Sequence, residues 1–215
     1  MKSKTVLGIA LATILISFII GIALYGQMPE QMASHWNAKG EVNGYMPKFL
    51  GIFLMPLVSL ILLFIFLSIP RIDPLKNNIK KFRNYFDGFI LLMVIYLFYI
   101  YILTLLPNLG YNFNIGITIF PAIAVLFYYI GILMAHTKRN WFIGIRTPWT
   151  ISSEVVWNKT HKLGAKLFKL FAVIILAGIF FPDYLVWILL GVIVPLSLYL
   201  VLYSYLEYKK LKKKK

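Results

Sequence analysis

A chain of 215 residues with 60% hydrophobic and only 13% charged residues is not an ordinary water-soluble protein, in which about a quarter of the residues are charged. Its mean hydropathy is +0.81, yet 22 Lys and Arg against 7 Asp and Glu leave a formal charge of +15. Apolarity joined to basicity leaves a nucleic-acid binder or a membrane protein with basic loops, and apolar runs of about 20 residues select the membrane. The absence of cysteine excludes disulfides, thiolate metal sites and thiol nucleophiles.

In chain order, the apolar runs predict six transmembrane helices at about 5–27, 49–69, 85–106, 115–136, 166–181 and 184–206. The first is too long for a signal peptide and is expected to be retained. The fifth is the shortest: its uncharged stretch runs only from Leu170 to Phe181, and Lys166 and Lys169 would have to snorkel to lengthen it. A re-entrant hairpin is the alternative there. Pro56, Pro121 and Pro195 lie inside spans, where each removes a backbone hydrogen bond. The middles of the spans hold no ionisable residue, which disfavours an ion-coupled transporter. Asp87, near the start of the third span, is placed to pair with Arg83 one turn before it.

Charge then orients the spans. Twenty of the 22 basic residues fall at the N-terminus, in loop 70–84, in loop 137–166 with the turn after it, and in the tail, leaving Lys39 and Lys48 for the other connections. The positive-inside rule puts both termini in the cytoplasm. The expected fold is all-α: a six-span helical bundle with a short interfacial helix near 152–164. It divides into a two-span unit, 1–70, with an outer loop at 28–48, and a four-span unit, 71–215, with an inner loop at 137–165.

Those two loops carry the polar chemistry. In the outer one Pro29 stops the first helix and Gly40 and Gly44 mark turns. His35, Trp36 and Asn37 either bind a ligand or partner or simply pack over the helix ends. The inner one holds Asn140, Gly144, Arg146, Thr147 and Pro148, then Glu154, Trp157 and His161. Ser152 or Ser153 can cap a helix whose first turn contains Glu154. Spacings of three and seven residues place Glu154, Trp157 and His161 on one face. Trp141, Trp149 and Trp157 recur every eight residues, as expected of a segment at the lipid headgroups.

Glu154 and His161 are conceivable as base and acid, with Arg146 holding an anion. The alternative is a structural network in which Arg146 pairs with Glu154 and clamps the loop. Zinc would need about three protein ligands, and only His136 could be added, so no metal or other cofactor is expected.

At these loops the sequence resembles the SdpI family of membrane immunity proteins. Pro29 through His35-Trp36-Asn37-x-x-Gly40-x-x-Asn43-Gly44-Tyr45 is similar to the family's N-terminal domain of unknown function. Arg139-Asn140-x-x-x-Gly144-Ile145-Arg146-Thr147-Pro148-Trp149-Thr150, followed by Glu154-x-x-Trp157-x-x-x-His161-x-x-Gly164, is similar to its C-terminal signature. The resemblance implies a membrane protein that protects its cell from a secreted, membrane-active killing peptide. It also implies a receptor role, holding a cytoplasmic repressor at the membrane when the peptide is present. The expected partners are membrane lipids, a toxin peptide and that repressor, with no direct contact to nucleic acid. An enzyme at the membrane interface using Glu154, His161 and Arg146, and an exporter of an apolar peptide, are the competing functions.

Overall fold

In a computed structural model that describes residues 3–213, the chain is a bundle of long helices capped at one end by a small β-hairpin. Lys2, Lys214 and Lys215, which entered the charge argument, lie outside the described residues. Helix α1 spans Ser3–Leu24 and leads through a 3-10 turn into the hairpin of β1, Gln31–Trp36, and β2, Val42–Pro47. Helix α2, Lys48–Ile72, follows, then the short α3, Lys76–Lys80, and α4, Arg83–Asn108. After α5, Ile115–His136, an ordered loop reaches α6, Pro148–Ser152, and then α7, Glu154–Gly178, and α8, Leu185–Lys212.

Among the described residues five helices are long and apolar enough to cross a membrane: α1, α2, α4, α5 and α8. Their large exposed side chains, such as Leu15, Ile22, Phe64 and Leu198, form the apolar outside that lipid requires. Inward positions follow helical spacing. On α1 they are Val6, Ala10, Ile14, Ser17 and Gly21, a narrow row that lets the helix approach α4 closely. A Cβ on Gly21 would stand 2.6 Å from Ile52 and 2.8 Å from the Tyr101 hydroxyl. Three apolar clusters fill the bundle. Phe82, Phe86 and Ile90 centre one at the end holding both described termini, and Met32, Ile52 and Tyr101 centre one under the hairpin. Phe120, Phe171 and Ile175 join α5 to α7, with Leu185 of α8 beside them.

Four expectations change. The fold is not strictly all-α, because the outer loop is an antiparallel hairpin. Its strands have six residues each and Val42 as their one β-branched residue, so they lack the alternation and composition that identify strands in sequence. The interfacial helix near 152–164 is not a separate element. Ser153 caps α7, accepting from the Val156 N–H at 3.4 Å, and the helix runs unbroken to Gly178. The separate short helix is α6, begun by Pro148 at its first turn with Thr147 as N-cap. The fifth predicted span, 166–181, begins inside α7 and runs three residues past its end at Gly178; α7 is not among the five apolar helices, because Lys162, Lys166 and Lys169 interrupt its apolar sequence. Lastly, Trp157 is fully buried and is no headgroup anchor; Trp141 is exposed and Trp149 half-buried against Tyr205.

Candidate functional site: two polar caps on an apolar bundle

The hairpin cap is organised by its motif residues. The Asn37 side chain accepts from the backbone N–H of Lys39 at 2.9 Å and of Glu41 at 3.0 Å, and donates to the Glu41 carboxylate at 2.8 Å. It thereby builds the turn from which Gly40 continues at φ +81°, a left-handed conformation that favours glycine. His35 donates from Nδ1 to Asn43 Oδ1 at 2.5 Å. Gly44 pairs with His35 across the strands, and a Cβ there would come within 2.9 Å of the His35 Cβ.

Asn108, at the end of α4, then holds the hairpin to the bundle. Its Oδ1 accepts from the Ala33 N–H at 2.7 Å and its Nδ2 donates to the Ala33 carbonyl at 3.1 Å, as a neighbouring strand would. Lys48 closes the base on Glu30 at 2.7 Å. Beneath the hairpin a groove of about 420 Å³ opens between α2, α4 and α5. Ser34, His35, Trp36, Asn37 and Gly40 form its polar rim, and Leu50, Leu54, Leu103 and Phe120 belong to its apolar wall. Asn108→Ala leaves both backbone groups of Ala33 without this partner and is expected to lower stability by about 2 kcal/mol. Increased protease cleavage within 28–48, with the helical content intact, is the check.

The cap at the other end is built on Asn140, which is fully buried. Its Oδ1 accepts from the N–H groups of Phe142 at 2.9 Å and Ile143 at 2.6 Å, while its Nδ2 donates to the carbonyls of Lys138 at 2.8 Å and Ile143 at 2.9 Å. All four hydrogen-bonding positions of the amide are thus used. The loop turns next at Gly144, φ +113°, where any Cβ would collide with His161 Nε2. That nitrogen accepts from the Ile145 N–H at 2.9 Å, and Nδ1 donates to the Trp157 carbonyl at 2.9 Å. These bonds define a neutral imidazole protonated on Nδ1. Burial pushes its pKa down to about 4 despite the bond to Trp157. His161 stacks on Trp157 with ring centres 4.0 Å apart, and Trp157 donates from Nε1 to the Thr137 carbonyl at 3.2 Å.

Thr147 and Thr150 form a reciprocal capping box, and the Thr147 hydroxyl meets Ser204 of α8 at 3.0 Å. The buried Asp73 carboxylate, between α2 and α3, accepts from the Leu75 N–H at 2.6 Å and the Trp141 N–H at 2.9 Å. Asn78 donates to the Arg139 carbonyl at 2.8 Å. The loop is consequently pinned to α2, α3, α7 and α8 at once.

Arg146 and Glu154 do not pair. Arg146 donates to the Trp141 carbonyl at 2.7 Å, and Glu154 is exposed in the first turn of α7, where the helix dipole favours it. Trp157 and His161 point inward while Glu154 does not, so one helical face divides between core and solvent. The Arg83–Asp87 pair is present at 2.6 Å. No group of three or more potential metal ligands occurs among the described residues.

Asn108, Asp73, Asn78 and Ser204 also carry these caps and were not singled out as site residues from sequence. The available signal was local: Asn108 is a lone polar residue where an apolar run ends, and Asp73 directly follows α2, positions whose free backbone groups need partners.

A domain of unknown function (DUF1648) matches residues 12–60, and the SdpI/YfhL protein family matches residues 136–204. The Immunity protein SdpI of Bacillus subtilis (strain 168) is 31% identical over 204 residues, covering 94% of this chain and 96% of that protein. No solved structure matches the chain. Both nitrogens of His161 are committed to backbone partners and the relative is an immunity protein, so the enzyme alternative is set aside. With two family segments in the same order as the two caps and a relative aligned over nearly its whole length, this multi-pass membrane protein belongs to the SdpI family of immunity proteins.

Proposed function

We propose that this chain protects the cell that makes it from a secreted, membrane-active peptide. The full-length similarity to an immunity protein carries this reading. The hairpin cap faces outward, and the cap built on Asn140 faces the cytoplasm with the basic loops. That orientation follows the positive-inside rule, since the residues around Ser3, Asp73, Asn140 and Ser204 meet at one end of the bundle and the hairpin lies at the other. In this reading α7 from about Lys166 onward is the fifth crossing in chain order and brings the count to six. It packs beside α5, with Phe171 and Ile175 reaching the Phe120 cluster, and Lys166 and Lys169 extend toward the inner headgroups.

The groove under the hairpin is where an apolar segment of the killing peptide would lodge, with Trp36 and His35 at its rim. The rigid inner cap, with exposed Trp141 and Arg146, is the surface offered to a cytoplasmic repressor. The boundary between the two working units falls near residue 70, in the last turn of α2, with the hairpin in the first and the inner loop in the second.

Expression in toxin-sensitive cells tests the reading. Survival should rise at least tenfold at a killing dose, and Leu54→Trp, which fills the groove, should remove most of that gain. Undiminished killing with the protein present in the membrane fraction refutes the immunity reading, and full protection by Leu54→Trp refutes the role of the groove.

A further inference from the structure

The seam between α5 and α7 combines two features that the immunity reading leaves unused. At the end nearer the inner cap lies a pocket of about 430 Å³ whose lining includes Lys138, Lys162, Lys166 and Lys169. Ion pairs elsewhere engage Lys48, Arg83, Lys159 and Lys210, and no carboxylate pairs with these four lysines among the described residues. Four ammonium groups around one concavity repel one another, and an anion relieves that repulsion. The Asn158 amide belongs to the same lining and adds a neutral donor.

Further along the seam is an apolar groove of about 440 Å³, lined by Pro121, Val125 and Tyr128 of α5 and by Ala172, Val173 and Leu176 of α7. The two spaces share one side of the seam. Lys162, Lys166, Lys169, Val173 and Leu176 follow one another at four- and three-residue steps, a single row on α7. Lys169 also bridges them, its ammonium lying 5.7 Å from the centre of the Tyr128 ring. The helices approach closely at Gly131, where a Cβ would come within 2.8 Å of the Ala165 carbonyl and of the Lys169 stem.

We propose that this seam binds one anionic phospholipid, its phosphate held by Lys138, Lys162, Lys166 and Lys169 and one acyl chain lying in the groove between Val125 and Val173. A free phosphate would use only the charged part, whereas a zwitterionic lipid brings its own cation against the lysines. The combination of charge and apolar channel therefore selects an anionic diacyl lipid. The site does not depend on whether the chain protects against a peptide.

Native mass spectrometry of the purified full-length chain, titrated with phosphatidylglycerol or phosphatidylcholine of identical acyl chains, tests the proposal. One phosphatidylglycerol per chain should be retained at least tenfold better than phosphatidylcholine, and inorganic phosphate should not displace it. Lys162→Gln/Lys166→Gln/Lys169→Gln should weaken retention at least fivefold. The tail variant Lys209→Gln/Lys212→Gln/Lys213→Gln, which removes the same charge, should leave it unchanged. Val173→Trp, which alters no charge, should weaken it as well, and the exposed single change Lys166→Gln provides a variant that folds if the triple one does not. Equal retention of the two lipids, displacement by phosphate, an equal loss in the tail variant, or full retention by Val173→Trp would each overturn the proposal.

Discussion

Gly144→Ala is expected to lose about 4 kcal/mol of stability, from roughly 1–3 kcal/mol of left-handed backbone strain and a comparable overpacking cost. Gly144 sits at φ +113°, and its missing side chain makes room for His161 Nε2. A methyl group there must either displace the imidazole or rotate the peptide, and each route breaks the bond from the Ile145 N–H. Release of His161 also uncovers Trp157, so the emission of the buried indole should shift to the red well below the unfolding temperature of the parent protein. Gly26→Ala is the control: nothing lies within 4 Å of a Cβ there and its φ is not positive, so thermal unfolding in detergent should be unchanged. Equal unfolding temperatures for the parent and Gly144→Ala would show that the inner cap is not rigid at this turn.

Acid should loosen the same cap in a defined range. His161 is held neutral with its pKa pushed to about 4, whereas the unfolded chain takes up its proton near the ordinary imidazole value of 6.5. Between those values the unfolded state binds more protons, so the contribution is complete above about pH 6.5 and falls as pH drops toward 4. The linkage amounts to about 2 kcal/mol by pH 5 and about 3 kcal/mol by pH 4. The structural event is the loss of an acceptor, since a protonated Nε2 can no longer receive the Ile145 N–H. Chemical unfolding between pH 7.5 and 5 should show this slope in the parent protein, and His161→Gln should flatten it. Identical slopes for the two proteins would assign the effect to other groups.

These two residues show how the caps differ from the bundle in what a sequence discloses. Gly144 and His161 are 17 positions apart, and their contact depends on the turn at Asn140 and on α7 being one helix rather than two. The expected Arg146–Glu154 pair was a plausible use of complementary charge, but α6 and the Ser153 cap aim Glu154 outward while Arg146 folds back on Trp141. The eight-residue tryptophan repeat misleads for a similar reason. Trp141, Trp149 and Trp157 occupy a loop, a short helix and a long helix, so equal spacing in sequence has no common geometry.

At the hairpin cap the turn at Gly40 was legible and the strands were not: Gly44, expected to mark a turn, lies within β2 and pairs with His35, and Asn37, expected to bind a partner or pack over the helix ends, builds the turn. Strands that gain their stability from a helix-borne side chain need no strong β pattern of their own. Asn108 supplies to Ala33 the two bonds that a third strand would supply, and Gly51 lets Met32 sit directly against α2.

By itself the sequence determined that this is a membrane protein, where its apolar helices run, which connections are basic and which two segments carry the polar motifs. Hydrophobic length and charge are properties of a stretch of chain, and the bilayer responds to them locally. Only the tertiary structure decided that the outer motif is a β-hairpin over a groove, that Trp157 and His161 are locked inside the inner cap, and that four lysines meet an apolar channel at one seam. Those outcomes depend on which buried backbone groups lack a partner and which helices approach closely enough to supply one, and that is settled only when the whole bundle has packed.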